Sequence, residues 1–229
     1  MLTKAVGAVK RGRVLYYPGC LTQGCLPKAF QNYKSLLHDA GIDYFMIPEL
    51  SCCGSPLLGA GYKEAFEEQK NLNMRLLKKH GVSKIVSNCP HCVRVFKDLY
   101  GVETEHISKT LDSSGFKPTR DHGEFSYHDP CLLAKSGVIA EPRSLLKKRG
   151  FTIKEPFHCK ERTFCCGAGG GLKQNNPELA SKIASARIKQ LRAAGIVTSC
   201  PYCYLHLKEN LNPSIGKHVF EMSEVLFDE

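Results

Sequence analysis

Short apolar runs alternate with longer stretches of helical periodicity along this chain. Apolar residues that recur every three or four positions indicate amphipathic helices, and short runs rich in β-branched and aromatic residues indicate strands. In the first half this pattern predicts strands at residues 14–17, 43–47 and 84–87, and helices at residues 27–39, 62–80 and 90–100. Pro27 can begin the first helix, and Gly41 can end it. Strands that alternate with helices predict parallel sheets covered by helices, so we expect an α/β fold.

The second half of the chain repeats the first. Residues 14–21 match 125–132, residues 35–41 match 144–150, and residues 85–92 match 196–203. We therefore predict two pseudo-repeated, Rossmann-like units with parallel sheets, one over residues 1–112 and one over 113–229. The long helix of the second unit is predicted near residues 177–194. Residues 103–123, which include a Ser-Ser-Gly run, are predicted to be a short linker that can form one helical turn.

Ten of the twelve cysteines form two matched sets. Each set has one cysteine, then an adjacent pair, then a CxxC motif; the members are Cys20, Cys52, Cys53, Cys89 and Cys92, and Cys131, Cys165, Cys166, Cys200 and Cys203. Most of these positions come just after a predicted strand, although the second pair follows a less certain strand near residues 151–154. Because the carboxyl ends of parallel strands gather along one edge of a sheet, we expect three loops to bring five thiols together in each half.

Composition limits the setting in which these thiols act. No apolar run approaches the roughly 18 residues of a membrane span, and the first 13 residues lack the apolar core of a secretory signal. We therefore expect a cytoplasmic, reducing compartment, where many cysteines indicate metal binding or catalysis rather than structural disulfides. The net charge of +10 is compatible with a solvated basic surface or with acidic partners and anionic substrates. Basic residues interleaved with stacking aromatics are not seen, so nucleic acid is not an expected partner.

Several kinds of site could use these cysteines. A structural Cys₄ zinc site needs four ligands and would leave one cysteine of each set unused. Zinc is more plausible in the first half, where Ser55-Pro56 replaces the glycine run that follows Cys166. A cubane iron–sulfur cluster also leaves a spare cysteine. Thiol–disulfide exchange at the two CxxC motifs would leave the adjacent pairs without a role. The glycine run matches neither common nucleotide-binding motif.

The motifs resemble those of a known family. The sequences His128-Asp129-Pro130-Cys131, Cys165-Cys166-Gly167 and Cys200-Pro201-Tyr202-Cys203 are similar to the second copy of the cysteine-rich (CCG) domain. This family occurs in the B and D subunits of heterodisulfide reductases and in iron–sulfur subunits of quinone-linked glycerol-3-phosphate, lactate and glycolate oxidation. The resemblance implies a noncubane [4Fe–4S] cluster on each five-cysteine set. It also implies two clusters that face a shared cavity and reduce a disulfide.

Two functions follow from this resemblance as expectations. The first is the two-electron reduction, or reverse formation, of a small anionic disulfide, with electrons from flavin or iron–sulfur subunits of a redox complex. The alternative is electron transfer from a flavin dehydrogenase towards quinone. His128 and His91 are candidates for proton donors to a departing thiolate. Cys25 and Cys159 lie outside the motifs and are expected to be spare thiols or reactive thiols at a cluster edge.

Overall fold

The computed structural model describes residues 13–119 and 121–227. The helices and strands of the first half are β1 Arg13–Tyr16, α1 Cys20–Cys25, α2 Pro27–Asp39, α3 Ser55–Gly59, α4 Lys63–Lys79, β2 Val82–Ser87, α5 Pro90–Arg94, β3 Thr104–His106 and α6 Ile107–Ser113. Those of the second half are β4 Glu124–His128, α7 Cys131–Lys135, α8 Ala140–Arg149, β5 Thr152–Ile153, α9 Leu172–Asn175, α10 Pro177–Gln190, β6 Gly195–Thr198, α11 Pro201–Glu209, β7 His218–Glu221 and α12 Met222–Leu226.

The strands form two sheets in which every pair is parallel. The first sheet has the order β1-β2-β3, and the second has the order β5-β4-β6-β7. Tyr16 pairs with Val86 in the first sheet, and Tyr127 pairs with Val197 in the second. These residues occupy matching positions of the sequence repeat, so the repeat extends to the register of the strands. The predicted α/β fold with two parallel sheets is confirmed.

The predicted strand at residues 43–47 is reduced to a single bridge. Phe45 lies beside β1, accepts a hydrogen bond from Tyr16 N at 2.9 Å and donates one to Val14 O at 3.1 Å. Pro48 follows three residues later and has no N–H to continue a ladder. The segment therefore lies beside β1 as β5 lies beside β4 in the second sheet, but its single bridge is too short to form a strand.

The prediction of a linker over residues 103–123 is wrong in its first part. This segment contributes β3 to the first sheet, where Ile85 pairs with Thr104, and then forms α6. The imidazole Nδ1 of His106 accepts a hydrogen bond from Ser108 N at 3.2 Å and caps that helix. The strand has only three residues and lacks the apolar run that identifies a strand in a sequence. The division of the chain at residues 112 and 113 stays a prediction.

Two predicted helices are shorter than expected. Only the first part of the helix predicted over residues 90–100 is α-helical. It forms α5, which ends at Arg94, and a π-helical turn over Val95–Leu99 follows it directly. Within this wider turn Val95 and Phe96 are both buried. The long helix of the second half ends at Gln190, four residues before the predicted end.

A central hydrophobic core joins the two halves. Helices α2 and α6 of the first half and α8 and α12 of the second contribute to this core, which also contains Tyr16 and Tyr127 from the sheets. Helix α6 packs against α8, and α12 packs against α2, so each half contacts the other through matching elements. Two further cores cover the outer faces of the sheets and include the buried cysteines of each set. In the described part of the chain, no helix combines the length and the apolar character that crossing a membrane requires.

Candidate metal centre

The first cysteine set is assembled from three loops at the carboxyl ends of the strands. Cys20 begins α1, and Cys89 caps α5, in which Cys92 lies. Cys52 and Cys53 come from the loop between α2 and α3. The Sγ atoms of Cys20 and Cys52 are 3.8 Å apart, and Cys92 shares hydrogen bonds with both Cys53 and Cys89. Three members are buried, but Cys52 is partly exposed and Cys20 is exposed, so the set extends from the interior to the surface.

The second set has the same arrangement. Cys131 begins α7, Cys200 caps α11, and Cys203 lies within that helix. The Sγ–Sγ distances are 3.8 Å from Cys165 to Cys131 and 3.3 Å from Cys166 to Cys203. All twelve cysteines of the chain are free thiols. The structure therefore brings together the five predicted members in each half.

One member of each adjacent pair is stabilised as a thiolate. Hydrogen bonds from the Cys20 thiol and from the backbone N–H of Gly54, 3.5 Å away, lower the pKa of Cys52 to about 2. The pKa of Cys165 is also lowered to about 2, by its neighbouring thiols and by the Gly167 N–H at 3.4 Å. The thiolate is the form that binds metal, so each set presents an anionic sulfur even before a metal arrives.

Glycines allow the backbone to approach these thiols. Gly19 has a φ of 79°, and a Cβ atom there would lie 3.2 Å from the Sγ atom of Cys92. Gly167 has a φ of 88°, and a Cβ atom there would lie 3.0 Å from the carbonyl oxygen of Ala180 on α10. L-amino acids with a side chain rarely adopt such φ values, so glycine is required both for conformation and for space.

A buried ion pair holds the loop that leads to the second adjacent pair. Arg143 on α8 donates two hydrogen bonds to Asp129, at 2.7 and 2.8 Å, and two to Glu155, at 2.6 and 2.9 Å. Asp129 in turn accepts hydrogen bonds from Lys160 N at 2.8 Å and, through its carbonyl oxygen, from Thr163 Oγ1 at 2.9 Å. Asp129 lies in the motif identified from the sequence, but its partner Arg143 was not identified. Only the fold places α8 beside this loop.

His128 lies at the end of β4 beside the second set. Its Nδ1 atom accepts a hydrogen bond from Arg187 Nε at 2.9 Å, and both side chains are fully buried. Its Nε2 atom has no hydrogen-bond partner among the described residues, and a ring nitrogen of His128 lies within 4.8 Å of the Sγ atoms of Cys166 and Cys203. Burial and the charge of Arg187 lower the pKa of His128 to about 3. Arg187 was not identified from the sequence. Its position in line with small apolar residues of a helix could have indicated that this arginine is buried.

His106 connects the two CxxC motifs. Its Nε2 atom lies 3.3 Å from the carbonyl oxygen of Asn88 and 3.1 Å from that of Ser199. Each of these carbonyls belongs to the residue directly before a CxxC motif. Because Nδ1 accepts a hydrogen bond from Ser108 N, the Nε2 atom carries the proton and donates to both carbonyls. His106 lies within the predicted linker, where the sequence offered no indication of this role.

Comparison with known proteins identifies the family to which a chain with this arrangement of cysteines belongs. The profile described as "CCG: Cysteine-rich domain" matches residues 14–97 and, a second time, residues 125–208. The chain belongs to the CCG cysteine-rich domain family. Both the sequence repeat and the resemblance drawn from the motifs are thereby confirmed.

Relatives of this CCG protein are redox proteins by name. The B subunit of the fumarate reductase (CoM/CoB) of Methanothermobacter marburgensis is 30% identical over 221 residues, which are 91% of this chain and 44% of that protein. The D subunit of the dihydromethanophenazine:CoB–CoM heterodisulfide reductase of Methanosarcina mazei is 33% identical over 220 residues, covering 86% and 53%. The EtfAB:quinone oxidoreductase of Syntrophomonas wolfei is 29% identical over 239 residues, covering 90% and 34%. The chain thus spans about half or less of the length of these relatives.

The two CCG copies meet at the middle residues of their CxxC motifs. The rings of His91 and Tyr202, which occupy matching positions of the repeat, are 4.8 Å apart between centroids. Gly169, in the glycine run of the second copy, lies against His91, where a Cβ atom would be 3.2 Å from the imidazole Cε1. Tyr202 lines a cavity together with members of the first set, including Cys20. His91 is half-buried, and burial lowers its pKa.

The remaining two cysteines lie apart from the sets. Cys25 is the last residue of α1 and is exposed. Cys159 is partly exposed and donates a hydrogen bond to Glu155 rather than to a thiol of the second set. Burial is the main cause that raises the pKa of Cys159, so the neutral thiol is favoured.

Proposed function

We propose that this chain is an iron–sulfur subunit of a heterodisulfide reductase-like oxidoreductase, with one noncubane [4Fe–4S] cluster on each cysteine set. The observation that carries the proposal is the presence of two complete five-thiol sets with matching geometry, whose motifs meet at His91 and Tyr202. The relatives that are named as components of a heterodisulfide reductase and of a fumarate reductase (CoM/CoB) support an assignment to sulfur redox chemistry.

The donor atoms fit an iron–sulfur cluster. Cysteine thiolates are its usual ligands, and a cubane cluster uses four of them. Each set offers five, all free, and one of them already favours the thiolate form. Beside the second set lies the buried imidazole of His128, which has a ring nitrogen within 4.8 Å of two thiols and an Nε2 atom without a partner among the described residues. A zinc site would use four donors and leave the fifth without a role, so zinc is retained only as an alternative for the first half.

Clusters of this kind each supply one electron, so two of them supply the pair that cleaves a disulfide. The protein's own part is to bind both clusters, to exclude water from the three buried thiols of each set, and to position side chains between the sets. Of the two candidate proton donors, His91 lies in the contact between the copies and is half-buried, whereas His128 is fully buried. We therefore propose His91 as the group that exchanges a proton with a substrate sulfur.

The substrate and the electron partner are proposed from charge and from length. The net charge of +10 favours a small anionic disulfide or thiol. The chain spans about half or less of the relatives reported above, so flavin or iron–sulfur units that supply electrons are expected elsewhere in a complex. The relative named EtfAB:quinone oxidoreductase supports a second candidate function, in which the clusters only pass electrons from a flavoprotein towards quinone.

Metal content tests whether both sets hold clusters. In protein purified without oxygen we expect about eight irons and eight sulfides per chain and no zinc. Cys52→Ser should remove the iron of the first set and Cys165→Ser that of the second, so each variant should keep about half of the iron. Unchanged iron in both variants would refute the assignment of these ligands. About four irons with one zinc would restrict the redox centre to one half.

A turnover experiment separates disulfide chemistry from electron relay. Chemically reduced protein, without any flavoprotein, is mixed with an anionic low-molecular-weight disulfide, and released thiol is measured together with the EPR spectrum. Two thiols released per two electrons, with a new paramagnetic signal on adding disulfide, support the proposal. Rapid oxidation by a quinone without thiol release would favour the relay.

A further inference from the structure

The second cysteine set differs from the first in its polar neighbours, and this difference has a consequence for redox chemistry. The inference rests on the proposed function, because it concerns the potential of clusters at these sets. Three observations carry it: the tautomer of His128, the buried charge of Arg187 and the side chains at the corresponding places in the first half.

The hydrogen bond from Arg187 determines which nitrogen of His128 carries the proton. A guanidinium group has donors only, so Nδ1 of His128 must be the nitrogen with a free lone pair. In the neutral ring the proton is then on Nε2, which is buried, and a ring nitrogen of His128 lies within 4.8 Å of the Sγ atoms of Cys166 and Cys203. An Nε2–H group cannot bind a metal but can donate a hydrogen bond to sulfur. No other acceptor for it is found among the described residues.

Arg187 brings a positive charge into the interior without a hydrogen bond to any carboxylate of the described residues. Its side chain is fully buried, and its acceptors are Nδ1 of His128, the carbonyl oxygen of His158 at 2.8 Å and Oε1 of Gln190 at 3.0 Å. The third guanidinium nitrogen, NH2, is buried without a partner. A buried charge is stable only when an opposite charge compensates it. The carboxylate of Asp129 and the thiolates of the second set are the nearby anionic groups that can do so.

The first set has neutral groups at the corresponding places. Tyr17 holds the position of His128 in the repeat, and its hydroxyl donates to the carbonyl oxygen of Ser51 at 2.9 Å, not to a thiol. On α4, the helix that corresponds to α10, the buried residues include no charged side chain, and the polar one among them, Asn73, donates to the carbonyl oxygen of Cys52 at 2.9 Å. Neither side chain carries a charge, so the first set has no counterpart of the His128–Arg187 pair at these two positions.

We propose that His128 donates a hydrogen bond through Nε2–H to the sulfurs of the second centre, that Arg187 positions this donor and adds positive charge, and that the second centre therefore has the higher reduction potential. Hydrogen bonds to sulfur and positive charge both stabilise the reduced, more negative state of an iron–sulfur centre. The first electron to enter the pair of centres thus resides mainly on the second. His128 is a tuning group in this assignment, neither a ligand nor the proton donor to substrate.

A redox titration of the iron-loaded wild-type protein, followed by EPR, tests the order of the two potentials. Assignment of the signals uses Cys52→Ser and Cys165→Ser, which each remove one centre. We expect the second centre to be reduced first. His128→Leu should lower the reduction potential of this centre by at least about 59 mV, which corresponds to a tenfold change in the ratio of reduced to oxidised centre for one electron. Arg187→Met should lower it further, and His128→Gln, which keeps an N–H donor, should recover part of the loss. The potential of the first centre should not change.

Tyr17→Phe is the matched control, because it removes the hydroxyl at the equivalent position of the first set and should leave the second potential unchanged. An unaltered potential in His128→Leu with full iron content would overturn the proposal. Loss of iron from the second set in both His128→Leu and His128→Gln would overturn it in favour of His128 as a ligand. A wild-type chain whose two centres have equal potentials overturns this inference alone, whereas a wild-type chain without iron overturns the proposed function together with it.

Pulsed EPR of wild-type protein labelled with ¹⁵N-histidine gives an answer that does not depend on the folding of any His128 or Arg187 variant. A histidine that donates to a cluster sulfur should give a weak ¹⁵N coupling from the second centre and a coupling from its exchangeable proton that disappears in D₂O. A strong ¹⁵N coupling would indicate direct ligation, and the absence of any coupling would indicate no contact. Either of these results would overturn the proposal.

Discussion

Replacing Arg143 by methionine should destabilise the second half of the protein strongly. The guanidinium group of Arg143 makes four hydrogen bonds of 2.6 to 2.9 Å with the carboxylates of Asp129 and Glu155. Arg143→Met keeps most of the side-chain volume but removes every one of these donors. Asp129 would keep one hydrogen bond to its carboxylate, from Lys160 N at 2.8 Å.

The magnitude follows from the burial of the two carboxylates. The side chain of Asp129 is 2% exposed, so after the substitution its buried charge would have no hydrogen-bonded cationic side chain among the described residues. Breaking a buried ion pair in this way costs about 3–5 kcal/mol of unfolding free energy. The side chain of Glu155 is 34% exposed and can be solvated, so it contributes less. Because Asp129 also holds the loop before Cys165, we expect lower iron occupancy at the second set.

Anaerobic urea denaturation, on samples matched for iron content, measures the unfolding free energy of Arg143→Met, Asp129→Asn and the double variant. This double-mutant cycle isolates the coupling between the two side chains. The control is the cycle for Lys154 and Glu124, a pair 3.2 Å apart with both side chains 48% exposed. That coupling should be at most about 1 kcal/mol. A coupling between Arg143 and Asp129 no larger than the control value would refute the argument from burial.

Three further predictions concern pH, backbone conformation and the spare thiols. Burial raises the pKa of Glu221 from 4.5 to about 7, so its stabilising contribution is present below about pH 4.5 and is lost as the pH rises through 7. Between pH 4.5 and 8 the unfolding free energy of the wild type, measured by urea denaturation, should therefore fall by on the order of 3 kcal/mol relative to that of Glu221→Gln. A difference between the two proteins that stays constant with pH would contradict this. Gly167→Ala should lower the unfolding free energy by about 2–4 kcal/mol, because Gly167 has a positive φ and lacks space for a Cβ atom. Gly137→Ala should lower it by only about 1–2 kcal/mol, because Gly137 has a positive φ but has space for a Cβ atom. Equal losses in thermal denaturation would argue against the close contact. Cys25→Ser and Cys159→Ser should each retain the full iron content in elemental analysis, since neither thiol lies in a set, and a loss of iron in either variant would show that the set is incomplete without it.

The family, the repeat and the members of the two cysteine sets can all be recognised without a structure. Parallel strands place their carboxyl ends at one edge, so cysteines that follow successive strands must come together once the strands are recognised. The start of α2 at Pro27 was equally accessible, because proline at the first position of a helix is a local preference. These features depend on spacing and on local conformation, which a linear pattern records.

The polar side chains that surround the two sets become apparent only from the packing of the folded chain. Arg187 could be seen as an arginine on a helix, but not as a donor to His128, and His106 lay in a segment predicted to be a linker. The strand that His106 ends has three residues and forms because β2 offers an unpaired edge to it. The reason is physical: a buried charge or a short strand is stabilised by partners that are distant in the chain, and their position follows from how the helices and sheets pack. The difference in polar surroundings between the two cysteine sets is therefore a property of the packed molecule, although the members of each set can be read along the chain.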